Sequence, residues 1–186
     1  DTKVGFKDVE AYLAAIDGDE KVVAYRLAAR SKNDDFLKKL LKLEKSIEFD
    51  DRILAIRALG HTKSTKAGEV LSRTLFEGRV DVRLETAASL EALGSETTLP
   101  ALTKALKGER DTKVKIGVIE ALGAIKSKKS VSALRYMVTN NNLEIKTATV
   151  TSIRRIGLAD GAKALQVLYK DRNREVQWLA FMTAME

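Results

Sequence analysis

Apolar and polar residues alternate in blocks that return every 31 or 32 residues. One register passes through the basic or polar position that opens a helix, at Lys21, Arg52, Arg83, Lys115, Lys146 and Gln177, with steps of 31, 31, 32, 31 and 31 residues. A second passes through leucine-rich segments at Val9, Leu40, Leu71, Leu102, Leu134 and Leu165, again stepping by 31 or 32. Inside a block the spacing is helical: Ala55, Ile56 and Leu59 share one face, as do Leu99, Leu102 and Leu106. Each helix has about three turns, too short to stand alone in water, so its neighbours must hold it. The pattern therefore predicts an all-α fold without strands, an α-α superhelix (solenoid) of six helix pairs. It forms a single domain over 1–186, with repeats at about 6–33, 34–62, 63–94, 95–126, 127–157 and 158–186.

Turn chemistry punctuates the blocks. Acidic residues precede the second helix of each pair at Asp19, Asp50, Asp81, Glu144 and Glu175, where a carboxylate can accept orphan N–H groups and face the positive helix end. The fourth unit departs, with Lys113 at that place and Asp111 two residues earlier. Gly60, Gly94, Gly123 and Gly157 are expected to stop the second helices in the left-handed conformation. They follow the basic position by 8, 11, 8 and 11 residues, which predicts second helices that alternate in length by about one turn. Pro100 falls near a helix start, where its missing N–H costs nothing.

The run Asp81-Val-Arg-Leu-Glu-Thr-Ala-Ala-Ser-Leu-Glu-Ala-Leu-Gly94, after a leucine-proline helix, resembles a HEAT repeat of the short variety named after phycobilisome lyases. Val82-Arg83, Val114-Lys115, Ile145-Lys146 and Val176-Gln177 carry the likeness, with Ala-Leu-Gly at 58–60 and 121–123. The resemblance runs from about Phe6 to the end. It implies first helices on a convex side and second helices lining a concave one. It says little about activity, since scaffolds, adaptors, lyases and DNA-repair enzymes share the repeat.

Composition narrows the chemistry. The 186 residues are 45% hydrophobic and 32% charged with one proline, which suits a helical globular chain and argues against disorder. With no cysteine, disulfides and thiolate zinc sites are excluded. The lone histidine, His61, follows a helix stop and reads as solvated surface, while Asp34-Asp35 and Asp50-Asp51 sit at helix starts, where capping explains them. No catalytic residue, metal site or cofactor is therefore expected. No apolar run reaches the ~20 residues of a membrane-spanning helix. A chain opening at Asp1 rather than methionine implies a removed targeting segment or a trimmed piece.

Three readings of function follow. The first is a non-enzymatic scaffold or adaptor that binds a protein partner on its concave face through Arg26, Arg57, Glu91, Glu120, Arg154 and Arg155. Its arginines would favour a partner with acidic patches. The second is nucleic-acid binding, prompted by the net charge of +7 and by alkylpurine DNA glycosylases, which are built from HEAT-like repeats. Against it, Glu85, Glu91 and Glu120 interrupt the inner face, and many lysines (Lys38, Lys39, Lys42, Lys45, Lys104, Lys107, Lys163, Lys170) lie on outward-facing first helices. The third, a bilin lyase-like subunit, rests on resemblance alone, because Tyr12, Tyr25, Tyr136 and Tyr169 are scattered and read as core or rim. The leading basic residues, such as Arg52 and Arg83, are expected to pair with the acidic caps of neighbouring repeats. In the last helix Trp178, Phe181, Met182 and Met185 cannot all point inward, so that end is expected to be covered by further chain, a second copy or a partner.

Overall fold

The computed structural model describes residues 6–31, 33–157 and 159–185, with side chains except at 6–10, 19, 159–160 and 184. Twelve α-helices follow one another as six antiparallel pairs among these residues. They are α1 (Phe6–Ala15) with α2 (Gly18–Arg30), α3 (Asp34–Leu43) with α4 (Phe49–Gly60), and α5 (Thr65–Thr74) with α6 (Val80–Leu93). Then come α7 (Leu99–Gly108) with α8 (Thr112–Ile125), α9 (Lys128–Leu134) with α10 (Leu143–Ile156), and α11 (Ala159–Leu165) with α12 (Arg174–Met185). A 3-10 turn at Glu96–Thr98 leads into α7, and another at Gln166–Lys170 finishes α11.

Both sequence registers have physical meanings. Leu40, Leu71, Leu102, Leu134 and Leu165 are all fully buried, so the leucine register is the core of the first helices; the side chain of Val9 lies outside the described residues. Lys21, Arg52, Arg83, Lys115, Lys146 and Gln177 each occupy the fourth position of a second helix. From there Arg52 reaches Glu77 at 2.5 Å, Arg83 reaches Glu109 at 2.8 Å and Lys146 reaches Asp171 at 2.6 Å. Each acceptor sits in the turn of the next pair, so charge stitches repeat to repeat, though through these turn acids rather than the acidic caps expected. Arg52 also donates to Glu44, a buried carboxylate that accepts a second hydrogen bond from Thr74. A buried charge held this way is paired rather than orphaned.

The second helices form a continuous row, each packed on the one before and after it, whereas first helices touch their like more sparingly. Small residues let this row close up. A Cβ added to Gly60 would lie 2.6 Å from the backbone oxygen of Ser89, and one on Gly123 would lie 2.8 Å from the Ser152 side chain. Closer approach on one side than the other bends the stack toward the second helices.

Two punctuation expectations need correction. The acidic residues before the second helices are not the caps. Side-chain caps come from Asp111, Asn142 and Asn173 on second helices, and from Asn33 and Ser127 on first helices, each accepting N–H groups at the second or third helical residue. Asp50, Asp81, Glu144 and Glu175 lie in the first turn instead, where they favour the positive helix end; among them Asp81 does accept an orphan N–H, that of Val82 at 2.9 Å. Lys113 is therefore no departure, because Asp111 caps its helix from the same register as Asn142 and Asn173. The side chain of Asp19 lies outside the described residues.

The glycines also divide into two kinds. Gly94 and Gly157 adopt left-handed backbone at φ of 57° and 69° and stop α6 and α10. Gly60 and Gly123 are helical and serve close packing. The stop in the fourth unit is Lys126, left-handed at φ 54°. Hence α6, α8 and α10 are equally long at 14 residues, and no alternation by a turn exists. The spacing of 8 and 11 mixed two different positions.

Candidate functional site: the concave face of the second-helix row

The second helices present an open groove of about 610 Å³ that runs across α6, α8, α10 and α12. Its floor is small, with Ala148 and Ser152; Thr147 and Thr151 line the wall. Four carboxylates look onto it, Glu91, Glu120, Glu144 and Glu175, against a single guanidinium, Arg155. Arg155 on α10 pairs with Glu91 on α6, two repeats away, and so bridges across α8. Glu120 lies between them on α8 and makes no ion pair within 4 Å among the described residues. Desolvation, then repulsion from Glu91, raises its carboxyl above the ordinary range, opposed by Arg155.

The N-terminal part of the same face has the opposite sign. Arg26 on α2 donates from Nε to Nε2 of His61 at 2.8 Å, and Arg30 lies close enough to act on the same ring. Burial first, and the two guanidiniums second, push the His61 imidazole below its ordinary pKa, which keeps its Nε2 available as an acceptor. His61 is thus a half-buried link between the first two repeats rather than simple solvated surface. Arg57 on α4 is exposed and pairs with Glu85 on α6 at 2.8 Å. Arg154 is exposed on α10 and also has an interaction partner.

All six concave residues expected from the sequence lie on second helices, and the groove gathers three of them, Glu91, Glu120 and Arg155. It does not gather Arg26, Arg57 and Arg154. The guanidiniums of Arg26, Arg57 and Arg155 are engaged within the chain. Sequence reasoning missed Glu144 and Glu175 as groove residues because it assigned them to capping. The signal was available two residues upstream, where Asn142 and Asn173 are the better caps. At the far end Trp178 and Met185 are exposed, Met182 is half-buried, and Phe181 stacks on Tyr169 at 4.4 Å between ring centroids. The other tyrosines divide, with Tyr25 buried and Tyr12 and Tyr136 exposed. No helix among the described residues is long and apolar enough to cross a membrane.

A family model described as HEAT repeats matches residues 35–115 and again 99–184. The chain belongs to the HEAT-repeat family. A search of curated proteins found no match. Among solved structures, this HEAT-repeat chain is similar to the complex of CpcE and CpcF of phycocyanin lyase from Nostoc sp. PCC7120, at 20% identity and a TM-score of 0.63, covering 98% of this chain and 77% of that one. The archaeal HEAT-like repeats protein from Thermococcus onnurineus NA1 is similar at 15% identity and a TM-score of 0.58, covering 98% and 80%. A designed armadillo repeat protein in complex with peptide (KR)4 is similar at 18% identity and a TM-score of 0.58, covering 95% and 96%. At these identities the likeness establishes the solenoid fold alone.

Proposed function

We propose that this HEAT-repeat protein is a non-enzymatic scaffold that holds a basic segment of a partner protein in the groove across α6, α8, α10 and α12. The observation that carries the reading is the groove's charge, with four carboxylates facing one guanidinium that is already paired. Lys and Arg side chains of an extended segment would meet Glu144 and Glu175, one repeat apart, and Glu120 on the neighbouring helix. Trp178 adds an aromatic face one turn beyond Glu175, at the register that Thr147 fills in the groove wall, where a cation can rest on the ring. The designed armadillo protein bound to (KR)4 is a fold-level analogy for a basic ligand on such a stack. Nucleic acid is disfavoured on this face, since the same carboxylates repel phosphates.

The test is fluorescence anisotropy with a short labelled Lys/Arg peptide and an Asp/Glu peptide of equal length. The basic peptide is expected to bind, with affinity falling as salt rises. The double variant Glu120→Gln with Glu144→Gln should weaken it about tenfold, equivalent to ~1.4 kcal/mol. Equal binding of both peptides, or no loss in the double variant, would defeat the proposal.

A further inference from the structure

On the first-helix side of the stack, the fifth and sixth units are built differently from those before them. Helices α3, α5 and α7 each run for ten residues, whereas α9 and α11 stop after seven. Beyond them the chain continues as turns at 135–139 and as the 3-10 turn Gln166–Lys170. A crevice of about 530 Å³ lies between α9 and α11, lined by the two helices and by the turns that follow them. It sits between two consecutive units, so its walls do not depend on what stacks beyond either end of the row.

The crevice combines an apolar floor with a basic rim. Val131 and Val138 are buried and form the floor, and Val167 adds a wall that is 55% exposed. Around them stand three cations, Lys128, Arg135 and Lys163, with the hydroxyls of Ser132 and Thr139; none of the described lining residues is acidic. Lys128 already has an interaction partner. Arg135 and Lys163 are exposed and make no ion pair within 4 Å among the described residues. The repeat does not require these charges. Leu41, Ser72, Thr103 and Gln166 hold the register of Arg135 in other units, and Pro100 and Ser132 hold that of Lys163 in the two units before it. One unit earlier the place of Lys128 belongs to Glu96, which accepts a hydrogen bond from Ser127 and pairs with Lys129. The cations thus collect at this crevice and not at its predecessor.

We propose that the crevice between α9 and α11 is a second docking site, which takes an acidic segment of a partner protein carrying one branched apolar side chain. That side chain enters between Val131, Val138 and Val167, and flanking carboxylates meet Arg135 and Lys163. Burial of the apolar group supplies affinity that does not depend on charge, while the cations set sign and register. The floor favours this occupant over nucleic acid, whose phosphates would satisfy the cations but leave the aliphatic surface empty. The crevice lies on the opposite side of the stack from the acidic groove and carries the opposite sign. Segments of opposite charge can therefore occupy the two sites together.

Fluorescence anisotropy on the 186-residue chain tests this, with a labelled peptide in which one leucine is flanked by Asp and Glu. The leucine peptide is expected to bind, and a peptide of Asp and Glu alone should bind about tenfold more weakly, because the floor stays empty. Arg135→Gln combined with Lys163→Gln should weaken the leucine peptide about tenfold. Both side chains are exposed, so far-UV circular dichroism should be unchanged; Thr139→Asp, which brings a carboxylate to the rim, serves as a second variant if the first misfolds. Failure of the leucine peptide to bind overturns the proposal, and so does binding that neither variant weakens. A single-stranded oligodeoxynucleotide that displaces the peptide at lower concentration than unlabelled peptide does would overturn it too, by assigning the crevice to nucleic acid. Glu120→Gln with Glu144→Gln should leave this binding unaltered, which separates the result from the fate of the groove; a loss there would place the peptide in the groove and overturn the proposal.

Discussion

The middle of the second-helix row and its two ends use one register in opposite ways. Between α4 and α6, and between α8 and α10, the contact is glycine against serine, and backbone comes within reach of a neighbour. At α2 and α12 the equivalent places carry Leu27 and Met185, large and exposed. The repeat thus fixes a position's direction, while the distance to the neighbouring helix fixes the size of its side chain. Where two helices must approach closely only glycine, alanine and serine fit; where no helix of the chain sits opposite, bulk is tolerated.

Enlarging the interior contact should have the greatest effect. Gly60→Val places a branched side chain where even a Cβ meets Ser89 backbone at 2.6 Å, and backbone cannot swing aside as a flexible side chain can. Overpacking of this kind costs ~1–3 kcal/mol or more, and with a chain of this size each kcal/mol lowers Tm by ~2–4 °C. A fall of about 10 °C is expected by differential scanning calorimetry. Gly108→Ala, with nothing within 4 Å of the added carbon, should leave Tm within about 2 °C, since compatible Gly→Ala changes gain ~0.4–1 kcal/mol. If both substitutions cost the same, the interior glycines are not there for close approach.

The charged seam between repeats comes next. Arg83 and Glu109 are mostly covered and share two hydrogen bonds, at 2.8 and 3.1 Å. Glu109→Gln should cost about 2 kcal/mol, hydrogen bonds to charged groups being worth ~1.5–3. The Arg83 guanidinium, against the opposition of burial, and then backbone N–H groups hold the Glu109 carboxyl below its ordinary pKa. Its stabilisation is therefore present above the ordinary carboxylate range and lost as pH falls through the depressed folded value. Urea titrations at neutral pH and at about pH 3 should show the gap between parent and variant narrowing at the acid end. A constant gap would mean that the carboxylate charge contributes nothing.

How far the fold could be read from residues follows the same division. The period, the six pairs and the leucine core were legible, because every unit repeats the same burial at Leu40, Leu71, Leu102, Leu134 and Leu165. Helix ends were less legible, since glycine serves both close contact and left-handed stops, and spacing alone does not separate the two. Lys126 hid one stop entirely, because nothing in its chemistry marks left-handed backbone. Glu44 is similar: Leu75, Leu106 and Val138 fill its register in later units, and only the approach of Arg52 and Thr74 in three dimensions accounts for a buried carboxylate there. The concave residues were placed on the correct helices, but which charges remain available depends on cross-repeat partners. Arg155 finds Glu91 64 positions away.

Lys126 supplies a smaller test of the same register. A non-glycine residue in left-handed backbone costs ~1–2 kcal/mol, offset in part by the chain entropy that glycine loses on folding, ~0.5–1 kcal/mol. Lys126→Gly should therefore raise stability by about 0.5 kcal/mol, and Gly94→Lys should lower it by a similar amount, since a Cβ added to Gly94 would make only ordinary contact, 3.5 Å from the Ala124 oxygen. Denaturant midpoints measured at constant m-value resolve this. Equal and opposite shifts would show that backbone strain alone distinguishes the two stops.

The smallest effect concerns Glu120, on the concave edge of the interior contacts. Its carboxyl is raised by desolvation and by Glu91, so the folded chain holds this proton more tightly than the unfolded chain does. Stability from that difference is full below the ordinary carboxylate pKa and is lost as pH rises through the raised folded value. At neutral pH Glu120→Gln removes a charge that the fold disfavours, so the variant should melt slightly above the parent, with the advantage shrinking toward acid pH. A basic peptide in the groove works in the other direction, since a nearby cation stabilises the ionised form and lowers the Glu120 pKa again. Binding should therefore weaken as pH falls through the raised value, and peptide binding just below it should release protons, seen as a dependence of calorimetric heat on buffer ionisation enthalpy. If Glu120→Gln neither raises Tm at neutral pH nor abolishes that buffer dependence, the carboxylate is an ordinary solvated charge and the groove must draw its selectivity from Glu144 and Glu175.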